Sequence, residues 1–204
     1  KGSRYAERSP IGKMDVVQNF KLERLKQFYA DWYRPDLMAV IVVGDFDQTA
    51  MAGLIKKHFA AIPAASKPKP RPVFEVPKQP GTLYSVVTDP EAPMTTVSVY
   101  SKMAFRDQST VGAYRQMIVE RLFGSMLSAR LSDLAQKPDA PFMGASSGRG
   151  LFVKSAEASI LAAAAKDDGI DKTLGVLFTE TERVTKFGFT ATEHEREKTA
   201  YLRG

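Results

Sequence analysis

Cysteine is absent from the 204 residues. That excludes disulfides, thiolate metal sites and a cysteine nucleophile, and it leaves the redox compartment open. Histidine is nearly absent too: His58 and His194 are the two, far apart in sequence. No apolar run reaches the roughly 18–20 residues that a membrane-spanning helix needs. No serine, threonine or lysine sits in a recognisable nucleophile elbow or beside a paired histidine and aspartate. Gly148-Arg149-Gly150 lacks the Lys-Ser/Thr ending of a P-loop and the full dinucleotide glycine pattern. No aromatic-basic motif of the usual RNA- or DNA-binding folds is present, so a nucleic-acid partner is not expected.

What is present is an ordinary globular composition, 44% hydrophobic and 25% charged, which argues against wholesale disorder. The formal charge of +6 is spread along the chain, and its one local cluster lies in a proline-rich stretch. The chain starts abruptly at Lys1 and ends at Leu202-Arg203-Gly204 inside a helical pattern. A fragment of a longer protein is therefore expected.

Leu37 to Val43 is a continuous apolar run rich in β-branched residues, and it predicts a strand covered on both faces. Leu22, Leu25, Phe28, Tyr29 and Trp32 recur at helical spacing and predict one amphipathic helix over about Asp15–Trp32 with a buried face. Asp47 is placed to cap a helix running from Gln48 to Ile62. Residues 63–80 carry six prolines among basic residues and predict an extended surface connector. Leu83–Thr88 and Met94–Met103 predict an antiparallel hairpin. Ser109 or Thr110 caps a long helix to about Gln136, in which Gly124 and Ser125 suggest a break or a close approach by another element. Phe142–Ser147 and Leu151–Ala165 read as a second pair turning at Gly148-Arg149-Gly150. A helix over Ile170–Phe187 stops at Gly188, and a last one starts at Thr190 or Thr192. Hairpins with helices between them give an α+β fold. The expected architecture is a two-layer sandwich, a mixed and mainly antiparallel sheet with helices packed on one face.

His194-Glu195-Arg196-Glu197-Lys198 nearly spells a zinc-peptidase helix. Both H-E-x-x-H and H-x-x-E-H fit at every position but the last, where Lys198 stands for the second histidine. A protonated ammonium has no lone pair for zinc, so a solvated charged helix with local ion pairs is the reading. His58 lies near a helix end and reads as structural or solvated.

Three stretches together resemble the insulinase and mitochondrial-processing-peptidase family of zinc metalloendopeptidases. They are Leu25–Asp36 running into Ala39–Asp47, then Leu122-Phe123-Gly124-Ser125-Met126-Leu127-Ser128-Ala129-Arg130-Leu131, and the glycine-rich Phe142–Ile160. Ser132–Phe142 departs from the family's usual passage after that arginine-leucine pair and resembles the long bacterial zinc proteases. The resemblance implies the non-catalytic domain that follows the zinc-bearing one. Residues 1–15 are then a connector from a preceding catalytic domain. Residues 16–204 are a single domain with a linker at 63–80 and a truncated last helix. It implies no catalytic residue, no metal ligand and no cofactor in this chain, with zinc in the parent protein. The implied partners are the protease's other domains and an unfolded peptide substrate, and the implied compartment is the periplasm. By analogy with insulin-degrading members, it implies peptide anchoring at Met143, Gly144, Ala145, Ser146, Ser147 and Gly148. A catalytically inactive scaffold subunit of the same family is the alternative.

Overall fold

The computed structural model describes residues 2–8, 10–166 and 168–203. Its chain falls into two compact units, Arg4–Val73 and Lys1–Ser3 with Phe74–Gly204. The division falls inside the proline-rich connector.

The larger unit holds the sheet. Three strands, β1 (Thr95–Ala104), β2 (Phe142–Val153) and β3 (Ala156–Ala165), lie in the order β1-β3-β2, all antiparallel. The alanine-rich β3 is the middle strand, paired along both of its edges. Helices α4 (Val111–Ala135), α5 (Ile170–Phe187) and α6 (Ala191–Arg203) complete the unit. Leu127 and Leu131 from α4 meet Leu177 and Val184 from α5 over Phe142 and Ala163, with Ala145 and Leu161 packed against them. Leu131, Phe142 and Leu177 are fully buried. The α+β class and the one-sided helical layer are as the sequence predicts.

Helix ends follow local chemistry. The Thr110 hydroxyl accepts from the Ala113 amide at 3.1 Å and starts α4. Gly188, at φ +68°, ends α5 as its amide bonds the Val184 carbonyl at 2.8 Å. Thr190 and Glu193 form a reciprocal capping box that starts α6. No described helix is long and apolar enough to cross a membrane.

Two sequence expectations fail in this unit. Leu83–Thr88 forms no ladder with β1, and Tyr84, Val86 and Val87 are exposed. The intervening residues bend instead at Asp89, whose carboxylate and carbonyl accept from Glu91 and Ala92. The turn between β2 and β3 is not at Gly148-Arg149-Gly150, which lies within β2, but at Lys154-Ser155. None of these glycines has a positive φ, so the turn chemistry that their sequence suggests is not used. Their side-chain-free faces lie on the exposed surface of the sheet.

The smaller unit comprises α1 (Met14–Asn19), α2 (Leu22–Trp32), a 3-10 turn at Pro35–Leu37 and α3 (Gln48–Phe59). The single helix expected over Asp15–Trp32 is broken at Phe20-Lys21, where Phe20 is extended. Asn19 turns its side-chain amide back to the Asp15 carbonyl at 2.9 Å, a local bond that competes with helix propagation. The strand expected at Leu37–Val43 does not form: Leu37 closes the 3-10 turn, and residues 38–43 pair with no other strand among the described residues. Ile41 and Val43, which would share one face, are 84% and 92% exposed, and Val40 and Val42 on the other are 44% and 40% exposed, so neither face has the cover that a fully apolar strand requires. Leu22, Leu25, Phe28 and Tyr29 do share one side of α2, but about half of each remains exposed. Arg34 is the one buried residue described in Arg4–Val73. Its guanidinium donates to the Lys69 carbonyl at 2.9 Å and lies within ion-pair distance of Asp36, at 3.1 Å, without a directed hydrogen bond there. Asp31, paired with Lys69, has its carboxyl held below the usual range chiefly by that bond. Asp47 caps α3 through the Ala50 amide at 2.7 Å, as expected.

Candidate functional site

Met143, Gly144, Ala145, Ser146, Ser147 and Gly148 all lie on β2, an outer strand of the sheet. Their side chains alternate between the two faces, as pleating requires. Ala145 packs toward the helical core, while Ser146 and Gly148 are exposed on the opposite face. That face continues across β3 through Ala164, Ala162 and Ile160, and across β1 through Thr96, Ser98 and Tyr100. It is nearly free of bulky side chains until the hairpin end, where the Tyr100 and Phe152 rings meet at 6.0 Å. Met143 sits in a register irregularity between Phe142 and Gly144 and is exposed.

The outer edge of β2 is partly occupied. The Ser128 hydroxyl of α4 accepts from the Ser147 amide at 2.9 Å and donates to the Ser147 carbonyl at 3.0 Å. One serine thus supplies both bonds that a neighbouring strand would supply. Gly124 makes the approach possible: a Cβ there would meet the Ser147 carbonyl at 3.3 Å. α4 is continuous through Gly124, so of the two sequence expectations there the close approach is the one realised. Ser128 lay unremarked within the family-like stretch, because a helical serine carries no signal of its own until its neighbour is known.

Further along the same strand, four charges interlock between α4 and the sheet. Arg149 bonds Glu157 at 2.8 Å and Glu120 at 2.8 Å. Arg106 donates to Glu120 at 2.5 Å, and its main-chain amide reaches Glu157 at 3.3 Å. Glu157 is buried, which is tolerable only with such partners. The Arg106 contact is the main cause that lowers the Glu120 carboxyl below its usual range. Sequence reading missed this group, because its members lie in four separate elements and Arg149 was assigned to a turn.

A second node joins three helices. Arg130 donates to Glu193, to Glu180 at 3.2 Å and to the Gly188 carbonyl at 3.0 Å, with its guanidinium 4.9 Å from the Phe189 ring. The Arg130 contact is the main cause that pulls the Glu193 carboxyl down to about 2. Glu193 in turn raises the arginine.

His194 lies half-exposed on α6, its Nδ1 3.4 Å from Glu195, and Lys198 pairs with the same carboxylate at 3.4 Å. No group of three metal-ligating side chains converges among the described residues. The donor set here therefore does not fit a zinc ion.

Comparison with known proteins agrees with this arrangement. Residues 19–201 match the family model described as the peptidase M16 inactive domain. A zinc protease PQQL-like protein of Arabidopsis thaliana is 40% identical over 146 residues, 71% of this chain and 15% of that protein. The crystal structure of the periplasmic protease PqqL from Escherichia coli superposes with a TM-score of 0.81 at 23% identity, over 99% of this chain and 22% of that one. A protease structure from Helicobacter pylori gives 0.79 at 22% identity, over 98% and 48%. The chain spans between 15% and 22% of the length of the Arabidopsis and Escherichia coli relatives. The chain, matched over residues 19–201 by that model, belongs to the peptidase M16 family as its inactive domain.

Proposed function

We propose that this domain serves a longer zinc endopeptidase as a wall of the chamber that receives unfolded peptide, in the periplasm. The observation that carries the reading is the uncovered sheet face. Its side chains are small at Gly144, Ser146 and Gly148 of β2 and at Ala162 and Ala164 of β3, so an extended polypeptide gains close main-chain approach there. Zinc and catalysis belong to the other domains of that protein, since no group of three metal-ligating side chains converges among the described residues here. Exposed Ser146 and Gly148 support anchoring on Met143–Gly148 from the open face. Ser147 contributes no free edge, because Ser128 holds both its main-chain groups.

The test uses the longer protease that carries this domain. Ser146→Trp and Gly148→Trp place bulk on the open face away from α4. They are expected to lower kcat/KM for an unfolded peptide by about tenfold, the equivalent of ~1.4 kcal/mol, with bound zinc unchanged. Unchanged cleavage would remove the chamber role. A parent protein with neither zinc nor cleavage would instead be the inactive scaffold.

A further inference from the structure

A cavity of about 660 Å³ opens beyond the N-terminal half of α4, lined by Phe105, Arg106, Met117, Arg121, Arg149 and Leu151 among others. Its polar wall is the Arg106–Glu120–Arg149–Glu157 group. Within that group Arg149 is engaged at every nitrogen, since its Nε and both its terminal nitrogens face glutamate oxygens. Arg106 is not saturated: its Nε is buried and has no acceptor among the described residues. A buried N–H without an acceptor is unfavourable, and a ligand oxygen that met it as the Arg106 side chain turned toward the cavity would relieve that cost. Arg121 also lines the cavity and stands in no ion pair among the described residues. Its guanidinium lies 5.5 Å from the Tyr201 ring, which leaves its N–H donors in the ring plane unused by that contact.

The third feature is main-chain. Ser147 points its amide and carbonyl away from β3, toward Ser128. Pairing is regular from Gly144 to Leu151, so by alternation Leu151 also points its amide and carbonyl outward, at the cavity. Side chains of α4 are engaged along this strand at Ser147 and Arg149, and Leu151 lies beyond them. Phe105, Met117 and Leu151 add an apolar wall.

We propose that this cavity is a carboxylate subsite that takes the chain-terminal carboxylate of an extended peptide. The guanidiniums of Arg106 and Arg121 supply planar charge-assisted donors, the geometry that suits a carboxylate. The Leu151 main chain pairs with the last peptide unit, and the terminal apolar side chain lies on Phe105 and Met117. Lining charges otherwise balance, with Arg106, Arg121 and Arg149 against Asp107, Glu120 and Glu157. Selectivity therefore comes from directed donors and not from a positive field. The site is distinct from the open sheet face and stands whether or not that face lines a chamber.

The test is a titration of the full 204-residue chain with acetyl-Ala-Ala-Phe-Leu as the free acid, as its carboxy-terminal amide, and with acetate alone, followed by amide chemical shifts. The acid is expected to perturb Phe105–Ser109 and Arg149–Leu151 and to bind about tenfold or more tighter than the amide, the scale of one charged hydrogen bond. Arg121→Gln, which leaves the interlocked charges intact, and Arg106→Lys, which keeps charge but removes the Nε donor, are each expected to erase most of that difference. Equal affinity for acid and amide, or full affinity in both variants, would overturn the proposal. Acetate binding as tightly as the peptide would overturn the peptide part, since the main-chain and apolar contacts would then contribute nothing.

Discussion

Glu193 accepts more hydrogen bonds than any other carboxylate described: Arg130 twice, and the Thr190 amide and hydroxyl. Its folded pKa of about 2 lies below the ordinary 4.5. A depressed acid stabilises the fold where it is ionised. Its contribution is therefore complete above pH ~4.5 and is lost as the pH falls toward 2. The thermal midpoint of the wild type is expected to drop more steeply between pH ~5 and ~2 than that of Glu193→Gln, and parallel slopes in calorimetry would refute the assignment. At neutral pH the same variant should cost about 2 kcal/mol, the scale of a charge-assisted pair that is mostly buried. Gly124 is the other residue whose identity the packing dictates. Gly124→Val would press on the Ser147 carbonyl, which Ser128 holds in place. A loss of about 1–3 kcal/mol in urea denaturation is expected, as for overpacking elsewhere; an unchanged midpoint would mean that α4 slides freely on β2.

At the level of elements, punctuation was legible and cover was not. Asp47, Thr110, Gly188 and the Thr190 start of α6 all act as their residue types predict, because a cap depends on three or four neighbouring residues. Thr190→Ala should accordingly cost about 1 kcal/mol and selectively loosen α6, seen as faster amide exchange at Ala191–Glu193 than elsewhere. Uniform exchange would show that Arg130, and not the cap, holds the helix start. The failures share a different cause. Leu37–Val43 and Leu83–Thr88 have strand composition, but a strand exists only with a ladder partner, which no local pattern specifies. Gly148-Arg149-Gly150 resembles a turn, yet the alternation of Ser146, Gly148 and Gly150 with Ala145, Ser147 and Arg149 continues through it as β2. The candidate site divides in the same way. Met143–Gly148 was singled out by analogy with insulin-degrading members of the family, whereas Ser128 and the Arg106–Glu157 group became visible only when α4 was seen along β2.

For the whole molecule, the two units differ in what could hold each together. Phe74–Gly204 contains the contiguous buried cluster of Leu127, Leu131, Phe142, Ala163, Leu177 and Val184, closed by two ion-pair groups. Arg4–Val73 has α2 and α3 with correct local signals, but the one buried residue described there is a charged arginine. Propensity and caps alone leave helices of 11 and 12 residues marginal in water. A fragment of residues 74–203 is therefore expected to unfold in urea as a single sigmoidal transition with dispersed amide resonances. A fragment of residues 4–73 should show partial helical ellipticity that fades gradually, with no cooperative step. A sharp transition in the smaller fragment would mean that its half-exposed apolar face, Leu22, Leu25 and Phe28, finds cover within those seventy residues. The packing described for α2 would then be incomplete. A broad transition in the larger fragment would place the source of cooperativity outside the buried cluster, and the Arg130 and Glu157 groups would be consequences of the fold instead of its ties.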